Sequence, residues 1–565
     1  MLRIICTSAH LHISTSLCLF ICTFAFLHIC SSTHAQLREI PYSSDSTFFR
    51  ADIAIKNADC CYYLFLEADS LKSLPSNYKT LKHLKGITFK HCMFVNWNET
   101  LKQLSQITTL EYLEISVNEL KALPDGILEL KQLASLNVKS NLLSDVPASI
   151  IQCEKLQYLN LSFNRGMNWS SVFETLSELK SLEVLDISAC NISSLPENIS
   201  SLTQLHEIDL SNNKLTSFPA DMEKLTSLEA VELRNNAALD YDKVVAKLSQ
   251  ISGLKKLDLA SNNLKKLPDA IGSLKSLEQL DLSGNLLQEL PKSFTALTQL
   301  RELNLGTDAI GQRCNRIHDL PKDFDKLVNL EVLNLSRDSI EKIPDAVSKM
   351  PKLRELNLTY CNLYSISESL RGAKNLEILI LDHNKINKIP EWIGELTSLR
   401  ELHLDGDFFV NHLLKIQLIP ASISNCKNLE VLSLKDQVIV GLPATFSQLQ
   451  KLHVLDLRDN LIQDLPKDFS TLKNLEYLDL KANELTSLPS NFSSLKNIKI
   501  LSIAYNTSLD MSIASSQLKL MASLQSLDIS FNKLTPQIYY DLKKALPKTQ
   551  IIAKGFNNLI PIDSR

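Results

Sequence analysis

Carboxylate side chains recur along the sequence at a regular spacing, and a row of carboxylates on one face of a protein can bind metal ions or transfer protons. Nine of them occupy the same position of a repeating pattern: Glu114, Asp186, Asp209, Glu232, Asp258, Asp281, Asp456, Asp479 and Asp528. Each begins a short motif, DLS or a variant of it, inside alternating apolar and polar residues. We expect these carboxylates to project from strands into water instead of converging on a metal or a substrate.

A smaller group could bind a cation. Asp382 and Asp405 are 23 residues apart, at the same phase of the pattern, and His403 lies two residues before Asp405. Carboxylate and imidazole groups are common cation ligands, so a cation site is kept as an alternative. The sequence contains no Gly-rich phosphate loop, HExxH, GxSxG or CxxC motif. We therefore predict a protein without catalytic residues, a metal site or a cofactor, which is not an enzyme.

The carboxylates belong to a repeat of 23 residues, LxxLxLxxNxLxxLPxxIxxLxx, numbered here from its first leucine. Its copies begin at Leu110, Leu133, Leu156, Leu182, Leu205, Leu228, Leu254, Leu277, Leu300, Leu330, Leu353, Leu376, Leu399, Leu429, Leu452, Leu475, Ile498 and Leu524, and degenerate copies begin at Cys61 and Leu84. The alternation in LxxLxL predicts a short strand with one buried face. The ninth residue is usually Asn, whose side-chain amide can form hydrogen bonds with the buried backbone groups of a turn. The Leu-Pro pair predicts a turn, and IxxLxx a short helix.

Some repeats are longer than 23 residues, and these longer repeats occur at regular intervals. The repeats that begin at Leu84, Leu156 and Leu228 have 26 residues and carry Trp97, Trp169 and Tyr241 at one phase, which predicts a longer helix over an aromatic core. Two others have 30 residues because seven residues are inserted just after the strand. These insertions lie in GTDAIGQRCNR, from Gly306, and in DGDFFVNHLLK, from Asp405.

The repeat is similar to that of the leucine-rich-repeat family, over roughly residues 61–534. The LPxxIxxL unit and an Ala-Gln cleavage site resemble exported leucine-rich-repeat proteins of Gram-negative bacteria, especially of the Bacteroidetes type. The resemblance implies an α/β fold: a right-handed solenoid, or horseshoe, of about twenty repeats. Its parallel sheet would be concave, with short helices or turns on the convex side.

The ends of the sequence predict three further segments. Residues 1–35 have an apolar run and end in Thr-His-Ala, as a secretory signal peptide does. A lipoprotein signal at Cys30 and an uncleaved membrane anchor are the alternatives. Residues 36–60 are expected to cap the array and to contain a helix, and residues 535–565 to cap the other end with a final helix and an edge strand.

Charge and cysteine content limit the partners and the compartment. The net charge of −4 is close to neutral for 565 residues, so the sequence predicts no attraction to nucleic acid and no stable membrane insertion after signal cleavage. Of twelve cysteines, four precede residue 36, and most of the others replace a core leucine or the ninth-position Asn. A framework of disulfides is therefore not expected.

Two regions of the concave face are candidate binding sites, since solvent-facing strand positions there are free of core packing. The first is aromatic: Tyr63, Phe65, Tyr112, Tyr158 and Phe163. Its alternative interpretation is that the N-terminal cap packs over it. The second lies between and beside the insertions: Arg337, Tyr360, Asp382, His383, His403 and Asp405, with Phe408 and Phe409, followed by Lys435 and Arg458. Its alternative is that the two phenylalanines pack back on the sheet edge.

These observations favour a non-catalytic recognition protein that binds a protein or peptide through the concave face. A glycan- or surface-binding adhesin is the first alternative and a periplasmic scaffold the second. Clustered aromatic residues favour binding over a purely structural role. We expect an exported monomer in the periplasm, on the cell surface or in the medium.

Overall fold

The computed structural model describes residues 47–67, 71–307 and 313–555. The predicted signal peptide lies outside the described residues. Contacts within the chain divide it into two compact units, Met1–Leu239 and Asp240–Arg565. Among the residues described, no helix combines the length and the apolar character needed to cross a bilayer.

The first unit contains a parallel sheet with one strand per repeat. Its strands are β1 (Thr47–Phe48), β2 (Tyr63–Glu67), β3 (Gly86–Lys90), β4 (Tyr112–Ser116), β5 (Ser135–Asn137), β6 (Tyr158–Asn160), β7 (Val184–Asp186), β8 (Glu207–Asp209) and β9 (Ala230–Glu232). Each strand pairs with the next one along the chain. Equivalent repeat positions lie side by side, as Leu136 and Leu159 do. One column of side chains that face away from the core therefore runs along each of the third, fifth and seventh positions of the repeat.

The second unit repeats this arrangement. Its strands are β10 (Lys256–Asp258), β11 (Gln279–Asp281), β12 (Glu302–Asn304), β13 (Val332–Asn334), β14 (Glu355–Asn357), β15 (Ile378–Ile380), β16 (Glu401–His403), β17 (Val431–Ser433), β18 (Val454–Asp456), β19 (Tyr477–Asp479), β20 (Ile500–Ser502), β21 (Ser526–Asp528) and β22 (Gln550–Ile552). They too pair in parallel and in chain order. The 30-residue repeats keep this register, since β12 pairs with β13 and β16 with β17 at equivalent positions.

The 26-residue repeats form α-helices, as predicted for those that carry Trp97, Trp169 and Tyr241. The α-helices are α1 (Ala51–Lys56), α2 (Trp97–Leu104), α3 (Trp169–Leu176), α4 (Tyr241–Leu248), α5 (Met511–Leu518) and α6 (Pro536–Ala545). In α4 the Asp240 side chain accepts the Lys243 backbone N–H and so caps the first turn. Helix α1 and the pair formed by α6 and β22 fall within the segments for which caps were predicted.

Most other repeats, including the 30-residue ones, instead have a short 3-10 helix, usually after the Leu-Pro pair. The 3-10 helices are Ala58–Cys60, Tyr78–Thr80, Asp125–Glu129, Ala148–Gln152, Glu197–Ser201, Met222–Lys224, Asp269–Ser273, Lys292–Ala296, Phe324–Lys326, Asp345–Lys349, Glu368–Gly372, Glu391–Glu395, His412–Leu414, Ala421–Asn425, Ala444–Gln448, Phe469–Thr471 and Phe492–Ser494. Proline directly precedes many of them, as Pro268 does with φ −60° and ψ 143°. Its fixed φ and the missing N–H suit this start of a helix.

The ninth-position Asn residues satisfy buried backbone groups, as predicted. The Asn460 amide donates to the Leu434 and Leu457 carbonyl oxygens at 2.8 and 3.0 Å. Its carbonyl oxygen accepts the Ile439 N–H at 3.0 Å. One buried side chain therefore joins two consecutive repeats.

In the repeat that begins at Leu300, counting along the sequence predicts the wrong residue for the ninth position. Counting along the repeat places Asp308 at the ninth position, but the structure uses Asn315, after the insertion. Asn315 is fully buried and donates to the Leu282 and Leu305 carbonyl oxygens at 3.0 and 2.6 Å. In the other 30-residue repeat, Asp407 stands at the counted position but lies in the inserted loop, where its side chain accepts the Phe409 N–H at 3.0 Å. The inserted residues thus precede the Asn position.

The fifth-position carboxylates do not simply project into water, which corrects the expectation above. Asp456 and Asp479 are 1% and 3% exposed. The Asp281 side chain is partly covered and accepts the Ser283 N–H at 2.8 Å. The same bond to the residue two positions on recurs in other repeats, for example from Ser211 to Asp209. Where the fifth residue is Asp, its side chain closes a turn at the end of the strand in this way.

Cysteine chemistry gives a first test of this packing. We expect Cys60 and Cys314 to react with N-ethylmaleimide in the native protein well before the other described cysteines. Cys60 is exposed and Cys314 half-buried, whereas the rest are buried. Burial raises the pKa of the Cys61, Cys190 and Cys361 thiols to about 12, and the thiolate is the reactive form. Peptide mass spectrometry after brief labelling measures each site, and labelling of Cys361 as fast as that of Cys314 would contradict the packing.

Candidate binding surface

The eighth residue of most repeats has a left-handed backbone. Outside the 30-residue repeats, φ is 52° to 65° at this position throughout the repeats that begin at residues 84 to 524. Arg337, Tyr360 and His383, at φ 61°, 58° and 57°, are three consecutive examples. Their N–H groups bond the seventh-position carbonyl of the following repeat, as Tyr360 does to Asp382 at 3.0 Å. The unusual conformation is thus held in register from one strand to the next.

This register places the three predicted site residues in one column, here called the Tyr360 stack. The guanidinium carbon of Arg337 is 4.4 Å from the centre of the Tyr360 ring. The His383 ring stacks on Tyr360 from the following repeat, with ring centres 4.3 Å apart and an angle of 11° between the planes. Tyr360 remains 37% exposed. A cation and two rings therefore form a single preorganised surface at the ends of β13 to β15.

The left-handed column is interrupted at the two insertions, at Thr307 and Gly406. A Cβ atom on Gly406 would lie 1.8 Å from the Asp436 carbonyl oxygen, so only glycine allows the backbones to approach this closely. The Gly406 N–H donates to the Lys435 carbonyl oxygen at 2.7 Å. The Lys415 side chain is 4% exposed, and its ammonium pairs with Asp436 at 2.8 Å at the other end of the loop. The base of the second insertion is therefore fixed to the next repeat.

The tip of this loop, residues 407–414 and here called the Phe loop, is apolar and exposed. Phe408 and Phe409 are 82% and 92% exposed, and their rings meet edge to face at 5.6 Å. Leu413 is 82% exposed. The alternative that these phenylalanines pack back on the sheet edge is thus wrong. Within the loop, the Leu413 N–H donates to the Asn411 side chain at 2.9 Å.

The Phe loop and the Tyr360 stack are neighbours. The His383 N–H donates to the Asp405 carbonyl oxygen at 2.7 Å, two residues before the Phe loop begins. Burial raises the pKa of Tyr360, and the Asp407 carboxylate raises it further. In the other long repeat, residues 308–312 of the insertion fall outside the described residues. The part that follows them contacts the preceding repeats through Arg313, whose guanidinium donates to the Asn263 side chain at 3.1 Å.

Asp382, His403 and Asp405 are close together, but both carboxylates already accept hydrogen bonds from the protein backbone. The Asp382 carboxylate accepts the Asp405 N–H at 2.7 Å, and the Asp405 carboxylate accepts the Lys435 N–H at 2.9 Å. His403 is 4% exposed, and its Nε2 lies 3.5 Å from the Glu401 carboxylate. Over the described part of the chain, no cluster of three His, Cys, Asp or Glu side chains has the arrangement of a metal site.

Burial and charge perturb this group strongly. Burial and the neighbouring Asp405 raise the pKa of Asp382 to about 7. Burial alone would lower the pKa of His403, but the carboxylates of Glu401, Asp382 and Asp405 outweigh it and raise the pKa. The sheet face between β15 and β17 thus holds closely spaced charges that are partly removed from water.

The predicted N-terminal aromatic surface is largely covered, which corrects the expectation of an exposed tyrosine cluster. Tyr158 is 4% exposed, because its ring packs along the sheet between equivalent residues of the adjacent strands, and its hydroxyl accepts the Asn160 amide at 3.0 Å. The half-buried Tyr112 donates its hydroxyl to Glu114 at 2.9 Å. Phe65 contacts Phe49 from the cap segment, with ring centres 6.1 Å apart. Only Phe163, 48% exposed, retains a large accessible ring.

Comparison with known proteins agrees with the repeat geometry. Profiles described as leucine-rich repeats match residues 108–165, 252–310, 313–363, 375–396, 427–485 and 450–507, and one described as a leucine-rich repeat region matches residues 155–264. The chain belongs to the leucine-rich-repeat family. Proteins of this family typically act as non-catalytic modules for protein recognition. A comparison with curated proteins gives no match to this leucine-rich-repeat protein.

Solved structures confirm the predicted solenoid fold. A TDR receptor is 20% identical over 93% of this leucine-rich-repeat protein and 90% of the receptor, with a TM-score of 0.51. TLR13 in its complex with ssRNA13 is 20% identical over 87% of this chain and 82% of its own, with a TM-score of 0.53. A leucine-rich-repeat protein of Leptospira interrogans is 27% identical over 90% of this chain and 99% of its own, with a TM-score of 0.47.

Proposed function

We propose that this leucine-rich-repeat protein is a non-catalytic recognition protein that binds a protein or peptide across the concave face of β13 to β17. The exposure of Phe408 and Phe409 on a loop with a fixed base carries this proposal. Exposing two adjacent aromatic rings to water is unfavourable, and such rings frequently anchor protein interfaces. The Tyr360 stack beside them adds a rigid polar and aromatic surface.

The stack favours a protein or peptide over a glycan. Sugars bind aromatic side chains mainly through the faces of the rings, but both neighbours of Tyr360 already cover its ring, at 4.4 Å and 4.3 Å. Its exposed edge and hydroxyl suit hydrogen bonding to a peptide. An adhesin that binds glycans and a periplasmic scaffold stay as the alternatives, and a scaffold would not require the Phe loop to be accessible.

The proposal also includes export to the periplasm, the cell surface or the medium. It rests on the apolar run and the Thr-His-Ala sequence in residues 1–35. N-terminal sequencing of protein purified from its native cells is expected to begin at Gln36. A protein that begins with residues of the apolar run would contradict cleavage at this site.

Changing both Phe408 and Phe409 to Ser should weaken partner binding at least about tenfold without changing the melting temperature, because both rings lie outside the core. Tyr360→Ala should weaken it as well, through loss of the stack. Quantitative mass spectrometry of proteins retained from native cell extract and culture medium measures the effect. Phe163→Ser is the matched control, since it removes an exposed eighth-position ring in the first unit. Equal retention by all variants would exclude this surface, and loss with the control alone would move the site to the first unit.

A further inference from the structure

The sheet face beside the Phe loop carries an excess of carboxylates. We call the following residues the acidic rungs: Glu302, Glu355, Glu401, Asp382 and Asp405. The three Glu residues occupy the third position of alternate repeats, from the one that begins at Leu300 to the one that begins at Leu399. The register places the apolar residues Val332 and Ile378 between them. The two Asp residues occupy the seventh position, on the same face of the sheet. All five are half-buried.

Nearby cations are mostly committed to other carboxylates. At the second position, Arg354 lies 3.4 Å from Glu331 and Arg400 lies 3.0 Å from Glu430. Lys415 is buried against Asp436. His403 and, more weakly, Lys435 do reach Asp382 electrostatically and favour its charged form, and Arg337 lies beside this face on the Tyr360 ring. These three cations do not balance five carboxylates, so the acidic rungs keep a net negative potential.

Repulsion between the acidic rungs supports this assessment. Burial raises the pKa of Glu355, the Arg354 guanidinium partly offsets this rise, and the charges of Glu401 and Glu302 add to it. Burial and Asp405 act in the same way on Asp382. A cation that binds this face would relieve the repulsion between the carboxylates. It would also stabilise charges that burial has partly removed from water in the free protein.

We infer that the partner is a cationic peptide segment, whose Lys or Arg side chains face the acidic rungs and whose apolar side chains face the Phe loop. The inference deepens the proposed function and rests on it. The two features adjoin, because the Phe loop leaves the sheet directly after Asp405 and Gly406. An anionic partner such as RNA or an acidic peptide would meet the carboxylates without compensation. The charge of this surface therefore selects among partners that the Phe loop alone would accept.

Selection from a phage-displayed library of random peptides tests the inference on the full chain. Peptides that bind the native protein are expected to be enriched in Lys or Arg together with aromatic or aliphatic residues. A synthetic copy of an enriched peptide should bind the Glu355→Gln/Asp382→Asn variant at least about tenfold more weakly, and the difference should shrink at high salt. The side-chain amide introduced by Asp382→Asn has a carbonyl oxygen that can still accept the Asp405 N–H, so the variant keeps this hydrogen bond. Glu111→Gln/Glu119→Gln, on exposed residues of the first unit, is the charge-matched control and should bind like the native protein.

The outcomes separate the inference from the proposed function. Enrichment of acidic or uncharged peptides, or equal binding to both double variants, overturns the inference. If such peptides still lose binding when Phe408 and Phe409 are changed to Ser, the proposed function stands without it. If no selected peptide depends on either set of residues, both fail.

Discussion

Replacing Asp338 by Asn should stabilise the protein, and the gain should grow as the pH rises from about 4 to about 8. Asp338 occupies the ninth position and is 2% exposed. One carboxylate oxygen accepts the Ile317 N–H at 2.9 Å, whereas the other has no hydrogen-bond partner. Burial raises the pKa of this carboxyl to about 8. An Asn side chain would instead donate to carbonyl oxygens, as Asn460 does in its own repeat.

The pH dependence follows from the pH at which the folded and the unfolded state each release the Asp338 proton. The folded protein keeps the Asp338 proton up to about pH 8, but the unfolded chain releases it near pH 4. Between these values the unfolded state binds fewer protons, so the stability contributed by Asp338 is complete below pH 4 and declines as the pH rises. Asn releases no proton, and the advantage of Asp338→Asn at pH 8 should be on the order of a few kcal/mol.

Urea unfolding of both proteins across this pH range measures the difference. Asp338→Ala serves as the control, because it removes the titration but leaves the Ile317 N–H without its acceptor. It should show the same pH trend relative to the native protein, displaced toward lower stability. A difference between Asp338→Asn and the native protein that stays constant from pH 4 to 8 would mean that Asp338 is not protonated in the folded state.

The second large effect concerns the core. Leu280→Ala should cost about 2–5 kcal/mol in the free energy of unfolding, because Leu280 is 3% exposed and pairs in register with Leu257 and Leu303. Asp281→Ala should cost about 1 kcal/mol, since it removes the acceptor for the Ser283 N–H. Asp281→Asn keeps an acceptor and should cost less still. Chemical denaturation gives all three values, and a different order would contradict the assignment of strand faces.

The repeat pattern predicts the parts of the fold that depend on side-chain burial. Leucines at every second strand position, such as Leu280 and Leu282, must face the core, and a one-residue shift would expose them all. The Asn role was equally predictable, because a buried turn needs a side chain with donors and an acceptor. Both predictions use properties that a residue has in any repeat.

Predictions that depend on neighbouring repeats were less successful. Tyr158 and Asp456 were expected to be exposed, yet both are buried by side chains one strand away. The left-handed eighth position was missed, although Asn212, Asn235 and Gly284 were signals, since these residue types adopt positive φ most readily. For the candidate site, sequence analysis identified Arg337, Tyr360 and His383 individually. Their stacking into one column required knowledge of that backbone conformation.

The interruption of the left-handed column at Gly406 has a practical consequence. Seven extra residues enter between the eighth residue and the buried ninth position, and β16 still pairs with β17 in the common register. The array therefore tolerates grafted loops at this point of a repeat, because the strands, the core and the Asn position all lie outside the grafted segment. Equivalent points follow Asn212 in the first unit and Ser261 in the second. Peptides grafted at several repeats of one unit would be displayed along one edge of the sheet of that unit, at spacings set by the choice of repeat.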